Sequence, residues 1–238
     1  LIRAYPVPVV VGARKGPVSW GPTVDGAVLP KAPLLALQAG EHAKVPLIVG
    51  SNTDETSLST PLITTEAEYR AALATLVGPA AVDPVVALYP VATYGTPRRA
   101  LMQVTTDAFF GCQARHAARA AFRGQPGVPV YRYLFSRAPV PARGAAHGVE
   151  LLYVFQKVRE LTATPSAADL AVEASLLSAW TRFAASGRLD GVTTVPWAPY
   201  AAGEPLLRLD ATQEALGGWR GAECDFWDTF VGVSVPAP

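Results

Sequence analysis

The chain has 238 residues, half of them hydrophobic, and its formal net charge at pH 7 is +1. This length fits one large domain or two small ones, and the apolar fraction is enough for a substantial core. Only 16% of the residues are charged and no long basic run occurs, so the sequence does not predict a nucleic-acid partner, which requires clustered cations. No stretch of 18 apolar residues is present, and no membrane span is predicted.

Taken in chain order, the predicted elements alternate between helices and strands. A tight turn at Asp25-Gly26 is followed by a short helix, and a buried strand over 45–49 stops at Gly50. Helices are predicted over 33–39, 66–77, 83–89, 97–123, 149–155 and 167–186, and further strands over 128–135 and 205–209. This alternation favours an α/β layer architecture with a largely parallel sheet.

Two adjacent carboxylates, Asp54 and Glu55, follow the first strand in the stretch GSNTDET. Two of the three histidines have unremarkable surroundings. His42 lies in a charged loop and is predicted to be solvated, and His116, with arginines close by on the long helix, is predicted to be a surface or cap residue. Neither is therefore a candidate for chemistry.

His147 differs, because it lies in a loop of small residues, RGAAHGVE, after the predicted strand over 128–135. Small neighbours leave an imidazole accessible, although a loop histidine without a function fits the same pattern. An acid after one strand and a histidine after a later one follow the chain order of α/β-hydrolases, which is nucleophile, acid, histidine. The histidine would act as general base and then general acid, and the acid would hold its tautomer. The order alone is satisfied by many chains.

The two cysteines, Cys112 and Cys224, have no CxxC spacing, so neither a zinc site nor a thioredoxin-like site is predicted. They are either two buried free thiols or one long-range disulfide. A disulfide would imply an oxidising compartment.

Several segments together resemble the C-terminal half of type-B carboxylesterases, the family that includes cholinesterases. In family order they are GPTVDGAVLPKAPLLALQAG, VPLIVGSNTDET, VPVYRYLF with GAAHGVELLYVF, ADLAVEASLLSAWTRFAASGRL, WAPY and CDFWD. The similarity covers residues 17 to 230. It implies an α/β-hydrolase with a mostly parallel central sheet flanked by helices, in which residues 1–238 form the C-terminal portion of a single domain.

The resemblance also implies roles for individual residues. The family's catalytic acid is the second of its D-E pair, which assigns Glu55 rather than Asp54 as the partner of His147. Glu150 matches a family glutamate behind the histidine and is predicted to support it. The family commonly has glycine where this chain has Thr56, a difference that could change the turn.

Cys112 and Cys224 match a disulfide of many family members. The resemblance therefore selects the disulfide over two free thiols. It places the protein in a secreted or periplasmic setting.

The family's nucleophile is a serine in G-x-S-x-G, preceded by a glycine-rich oxyanion loop, and this chain has neither motif. The nearest string, GVSVP, places Ser234 in a proline-rich tail without room for the helix that must follow such a serine. We therefore expect an N-terminal chain or segment of the same enzyme to supply the serine and the oxyanion hole. The absence of an initiator Met and the start within a motif fit this expectation.

The predicted reaction is hydrolysis of a small-molecule carboxylic ester through an acyl-enzyme, with no metal and no cofactor. One alternative is a non-catalytic adhesion or binding protein of the same fold family. Another is an α/β domain in which Glu55 and His147 are structural. Retention of both polar side chains argues against the adhesion protein, since an unused pair would be free to drift.

Overall fold

The computed structural model describes residues 22–230. Residues 22–33 belong to one compact unit and those from Leu34 onward to another. In the first unit, the Asp25 side chain accepts hydrogen bonds from the three backbone N–H groups at residues 27, 28 and 29, at 2.9–3.0 Å. Gly26 has a φ of 74°, so the turn predicted at these two residues is confirmed.

From residue 33 onward, helices and strands alternate as predicted. The elements are α1 (Pro33–Gln38), β1 (Leu47–Asn52), α2 (Glu66–Val77), α3 (Val82–Leu88), α4 (Val91–Tyr94), α5 (Pro97–Thr106), α6 (Cys112–Gly124), β2 (Val130–Phe135), α7 (Val149–Val154), α8 (Ala167–Ser186), β3 (Leu206–Leu209), β4 (Glu214–Leu216) and α9 (Gly221–Asp228). The sequence predicted neither α4, β4 nor α9. Within residues 22–230, no helix combines the length and apolarity needed to cross a bilayer.

The central sheet has the strand order β1-β2-β3-β4 and is parallel except for the last pair. β1 and β2 are in register from Leu47 opposite Val130 to Asn52 opposite Phe135, so the two strands end side by side. In such sheets, ligands bind outside the carboxyl ends of the strands. The segments that follow β1 and β2, which carry the predicted acid and histidine, therefore meet at one edge.

The strand β1 does not stop at Gly50 as predicted. A Cβ atom at this position would lie 2.4 Å from the Tyr133 ring on β2 and 2.5 Å from the Tyr133 carbonyl oxygen. The glycine therefore allows close packing between the strands instead of ending one of them. β1 ends two residues later, at Asn52, directly before the acid turn.

The helix predicted over 97–123 is also different, because it is divided. Between α5 and α6 lies a π-helical turn, Asp107–Gly111. Such turns are rare and frequently occur at functional sites. Here the turn carries Phe109 and Phe110 towards the edge of the sheet where the acid and histidine lie.

Helices cover both faces of the sheet, as a parallel sheet requires. On one face, β2 and β3 contribute Tyr131, Phe135 and Leu207 to a core shared with α7 and α8. On the other, Val130 of β2 packs against alanines of α6. A third cluster lies among α2, α3, α5 and α9, and it contains both cysteines.

Cys112, at the start of α6, and Cys224, on α9, form a disulfide. The predicted pairing is confirmed. An ionic cluster accompanies it, since Glu204 accepts hydrogen bonds from Arg115 (2.6 Å) and Arg119 of α6. These same arginines lie within 4 Å of carboxylates on α9. Covalent and ionic contacts therefore hold α9 against α6.

The prediction of a surface or cap position for His116 is wrong, and the prediction that His42 is solvated holds only in part, since His42 is partly buried. His116 is 1% exposed, and its Nδ1 lies 3.3 Å from an Asp228 carboxylate oxygen. His42 is not solvated on its inner side, where its Nε2 lies 3.0 Å from the Gln125 side-chain oxygen. In both cases a residue distant in the sequence covers the imidazole, and no local pattern signals that contact.

Candidate active site

The acid turn that follows β1 and the histidine loop that follows β2 are joined by backbone hydrogen bonds. The Asp54 N–H donates to the Ala145 carbonyl (3.2 Å), and the His147 N–H donates to the Glu55 carbonyl (3.2 Å). The bonds run in opposite directions between the two segments, so each segment fixes the position of the other.

The side chains of Glu55 and His147 are in direct contact. Oε2 of Glu55 lies 2.7 Å from Nδ1 of His147, and Oε1 accepts a hydrogen bond from the Asn52 backbone N–H at 2.8 Å. Glu55 is 7% exposed, whereas the His147 side chain is 69% exposed. The acid is thus held at both oxygens beneath an open imidazole. Glu55, not Asp54, makes this contact.

The electrostatics of this pair follow from its position. Burial raises the pKa of Glu55 above its ordinary value, the bonds from Asn52 and His147 oppose that rise, and the charge of Glu150 adds to it. A carboxylate at Nδ1 favours the tautomer that carries its proton on that nitrogen. Nε2 is then the nitrogen of His147 that can accept and return a proton.

Asp54 has a different task in the same turn. Its Oδ2 accepts hydrogen bonds from the Ala145 N–H (3.0 Å) and the Thr53 hydroxyl (2.7 Å). This approach requires glycine at position 144, which has a φ of 65° and where a Cβ would lie 2.6 Å from the Asp54 carboxyl carbon. Asp54 therefore supports the backbone of the histidine loop.

Thr56, where glycine was expected from the resemblance, does not disturb the turn. It is absent from the described residues that have positive φ. Its hydroxyl contacts the Met102 carbonyl (3.0 Å) and the Thr105 hydroxyl (2.6 Å), both on α5. The threonine side chain thus ties the acid turn to α5.

A cleft of about 640 Å³ adjoins the pair. The ring of Phe110, on the π-helical turn, lies 5.0 Å from the His147 imidazole, measured between ring centroids. Among the described lining residues, Glu55 and His147 are the only ones that ionise. The remaining lining residues are Thr56, Leu58, Ser59, Thr60, Pro61, Leu101, Thr105, Phe109 and Phe110. The cleft is suited to a neutral, mainly apolar group beside the imidazole.

The cleft's own hydroxyl groups are engaged elsewhere. The side chains of Ser59, Thr60 and Thr105 donate to nearby backbone carbonyls at 2.7–3.2 Å. Ser234 lies outside the described residues. The described part of the site therefore presents an acid and a base, and the nucleophile expected from another segment stays a prediction.

Two contributors to the site were not predicted from the sequence. Asn52, the single asparagine of the chain, donates from its side chain to the Ala146 carbonyl (2.8 Å) and to Glu150 (2.5 Å). Glu150 thus contacts the acid side of the site through Asn52. The second is Phe110, which the unbroken helical pattern gave no reason to place beside His147.

The chain is similar in sequence to several known proteins. A sequence model described as the carboxylesterase family matches residues 1–227. The chain is 31% identical to a fumonisin B1 esterase of Sphingopyxis macrogoltabida over 194 residues, covering 76% of this chain and 35% of that protein. It is 26% identical to a medium-chain fatty acyl-CoA hydrolase precursor of Anas platyrhynchos, covering 86% and 41% respectively. It is 24% identical to an acetylcholinesterase of Leptinotarsa decemlineata, covering 88% and 37%.

The chain therefore spans well under half the length of these three relatives.

Proposed function

The chain belongs to the carboxylesterase family, and from this premise we propose that it is the C-terminal part of a single α/β-hydrolase domain that cleaves carboxylic esters. In this proposal His147 is the catalytic base and acid, and Glu55 orients it. The serine and the oxyanion hole come from an N-terminal portion of the same enzyme. The observation that carries the proposal is the 2.7 Å contact between a buried Glu55 and an exposed His147 at the carboxyl edge of a parallel sheet.

The proposed reaction has two halves. Nε2 of His147 takes the proton of the serine hydroxyl as the serine attacks the ester carbonyl, and the imidazolium then gives that proton to the leaving alcohol. In the second half, Nε2 takes a proton from a water molecule as the water attacks the acyl-enzyme. The imidazolium returns that proton to the serine, and the carboxylic acid product is released. Glu55 keeps Nδ1 protonated and stabilises the imidazolium in each half, without itself taking the proton.

The edge of the sheet supports a covering N-terminal portion. In the described residues β1 pairs only with β2, so its other side is an open edge six residues long. Proteins generally cover or pair such an edge. Large apolar side chains are also exposed on segments next to the site, namely Leu58, Leu62, Phe109, Leu151 and Phe155. A segment that adds strands beside β1 would cover the edge and bring its own strand ends beside His147.

The disulfide supports a secreted or periplasmic location, since such bonds persist in oxidising compartments. The proposal includes no metal and no cofactor, because acid, base and serine are sufficient for ester hydrolysis by this route.

The test uses the protein with its N-terminal portion. We expect a fluorophosphonate to label the serine of an upstream G-x-S-x-G, and the protein to hydrolyse p-nitrophenyl butyrate. His147→Asn should abolish both labelling and turnover, and residues 1–238 alone should show neither. A full-length protein that folds but is not labelled would support the binding-protein alternative. Turnover by residues 1–238 alone would refute the separate origin of the nucleophile.

A further inference from the structure

We propose that Asn52 is a positioning residue that holds the acid and the histidine in register, an inference that rests on the esterase function proposed above. Asn52 is the last residue of β1 and is 1% exposed. It touches neither the cleft nor the imidazole in the contacts described, so it would act through its neighbours.

Asn52 makes three hydrogen bonds to the two halves of the site. Its backbone N–H donates to Oε1 of Glu55 (2.8 Å), while its side-chain Nδ2 donates to the Ala146 carbonyl (2.8 Å) and to Oε2 of Glu150 (2.5 Å). Ala146 directly precedes His147, and Glu150 follows it by three residues. One buried side chain thus joins the end of β1 to both flanks of the histidine.

The chemistry of these bonds requires an amide. Both partners of Nδ2 are acceptors, a carbonyl and a carboxylate, and an amide NH₂ group can donate to both at once. The bond to Glu150 is charge-assisted and so among the stronger kinds. Aspartate has the same shape but, when ionised, would face two acceptors with a third. Serine is too short to bridge them.

Asn52 also compensates a repulsion within the site. The charge of Glu150 disfavours ionisation of Glu55, since like charges disfavour each other. Asn52 donates to both carboxylates, from its backbone to one and from its side chain to the other. Asn52 therefore stabilises two carboxylates of like charge, one on each side of it.

The histidine loop needs such external support. Gly144 and Gly148, on either side of His147, have φ values of 65° and 78°, and glycine does little to restrict its own backbone. A displacement of about 1 Å in a catalytic group can lower the rate about 100-fold. A bond from β1 to the carbonyl adjacent to His147 limits that displacement.

The experiment compares two variants in the protein with its N-terminal portion. Asn52→Ala should lower kcat for p-nitrophenyl butyrate by about 10- to 100-fold with little change in KM, because the contact is not with substrate. The matched control is Ser57→Ala. Ser57 is also buried and also donates from the acid turn to a carbonyl of the histidine loop, that of Arg143, at 2.6 Å, but it is not bonded to Glu55 or Glu150. Ser57→Ala should leave kcat within about threefold.

A second substitution of Asn52 separates hydrogen bonding from packing. Asn52→Asp keeps the shape and removes the donors, so its kcat at neutral pH should fall at least as far as that of Asn52→Ala. A wild-type kcat in Asn52→Asp would overturn the proposal, as would equal losses in Asn52→Ala and Ser57→Ala. If Asn52→Ala fails to fold, Asn52→Ser takes its place, since it leaves a smaller cavity and still cannot bridge both acceptors.

A readout that needs no turnover separates this proposal from the esterase function. The proton shared between Nδ1 of His147 and Glu55 should give a far-downfield ¹H NMR signal in the wild type, absent from His147→Asn. We expect that signal to be broadened by exchange in Asn52→Asp and unchanged in Ser57→Ala. An inactive wild type with this pattern would refute the esterase and retain the role of Asn52. If the wild type is active and its NMR signal is the same in Asn52→Asp, the esterase function is retained and the role of Asn52 is refuted.

Discussion

Glu55 and Asp107 are both buried carboxylates, and burial raises the pKa of each. Their surroundings differ. Asp107, on the π-helical turn, accepts hydrogen bonds from the Tyr89 hydroxyl (3.0 Å) and the Gln103 amide (2.8 Å), and the Arg220 guanidinium lies 3.4 Å away. These contacts close the site around Asp107, which is 0% exposed.

Glu55 instead has a partner that reaches solvent. One of its oxygens is fixed by the Asn52 backbone, and the other contacts His147, whose ring faces a cleft. A perturbed carboxyl pKa is found at both structural and catalytic sites. Here, the feature that separates the two is whether the carboxylate's partner can touch a substrate. On that ground we propose that Glu55 takes part in the reaction and that Asp107 stabilises the fold.

The largest expected effect tests the catalytic side of this comparison. Glu55→Gln should lower kcat by about 10⁴-fold in the protein with its N-terminal portion, since loss of the acid from a serine-protease triad has an effect of that order. Steady-state hydrolysis of p-nitrophenyl butyrate measures it. Asp54→Asn is the adjacent control. The Asp54 side chain supports the histidine loop but does not touch His147, so the kcat of this variant should change far less.

Asp107→Asn provides the cross-comparison for that experiment. If it lowers kcat as much as Glu55→Gln, exposure of the partner does not distinguish the two acids. If Asp54→Asn has the larger effect of the adjacent pair, the assignment of the acid is wrong.

The second prediction concerns the stability of the region around Asp107, called the closed region below. Tyr89, which donates to Asp107, packs in one buried cluster with Cys112 and Cys224. Replacing both Cys112 and Cys224 by serine should lower the free energy of unfolding by about 4–5 kcal/mol in the chain-entropy model, given a loop of this length. Urea denaturation measures the loss. The ionic contacts of Arg115 and Arg119 with α9 remain, so the folded fraction should keep its kcat. A loss of kcat in folded protein would show that the closed region also supports the reaction.

The sequence predicts the structure correctly where the signal is local. The helix predicted over 167–186 is observed over the same residues, because Ser166 and Asp169 form a capping box at its start and Gly187, with a φ of 67°, ends it. The positions of the acid and the histidine after strands, together with the family resemblance, predict the pair, and the parallel register of β1 and β2 brings them together. The catalytic roles of these two residues stay predictions.

Features that depend on contacts between residues distant in the sequence are not predicted. The arginines close to His116 on the helix predict a surface position for this histidine. Those arginines are in fact neutralised by Glu204, more than 80 residues later. Asn52 gave no signal either, since an asparagine after a strand usually indicates a turn. Its role depends on Ala146 and Glu150, which are 94 and 98 residues away.

The third prediction uses the pH dependence of the closed region. Burial raises the pKa of Asp107 from 3.8 to about 6, so the folded state holds this proton more tightly than the unfolded state does. The contribution of protonated Asp107 to the free energy of unfolding is therefore complete below about pH 4 and is lost as the pH rises through about 6. Two pKa units correspond to about 3 kcal/mol.

Asp107→Asn should remove that dependence. The free energy of unfolding of the wild type, minus that of the variant, should fall by up to about 3 kcal/mol between pH 4 and pH 7, as measured by urea denaturation at each pH. Taking this difference removes the contributions of the groups that titrate in the same way in both proteins. A difference that rises with pH would mean that the Arg220 guanidinium outweighs burial, which would contradict the closed-site interpretation of Asp107.

The smallest predicted effect lies where the two regions meet, on the π-helical turn that carries both Asp107 and Phe110. The Phe110 ring packs against the His147 imidazole, and such ring pairs contribute about 0.5–1.5 kcal/mol. Phe110→Ala should therefore lower kcat by about 2- to 13-fold through a less restricted imidazole. Phe109→Ala is the matched control. Phe109 lines the same cleft and is 54% exposed, but it is not paired with the imidazole, so its replacement should change KM and leave kcat nearly unchanged. Equal kcat losses in the two variants would mean that the turn acts only as a wall of the cleft, and the closed region would then contribute to binding but not to the orientation of His147.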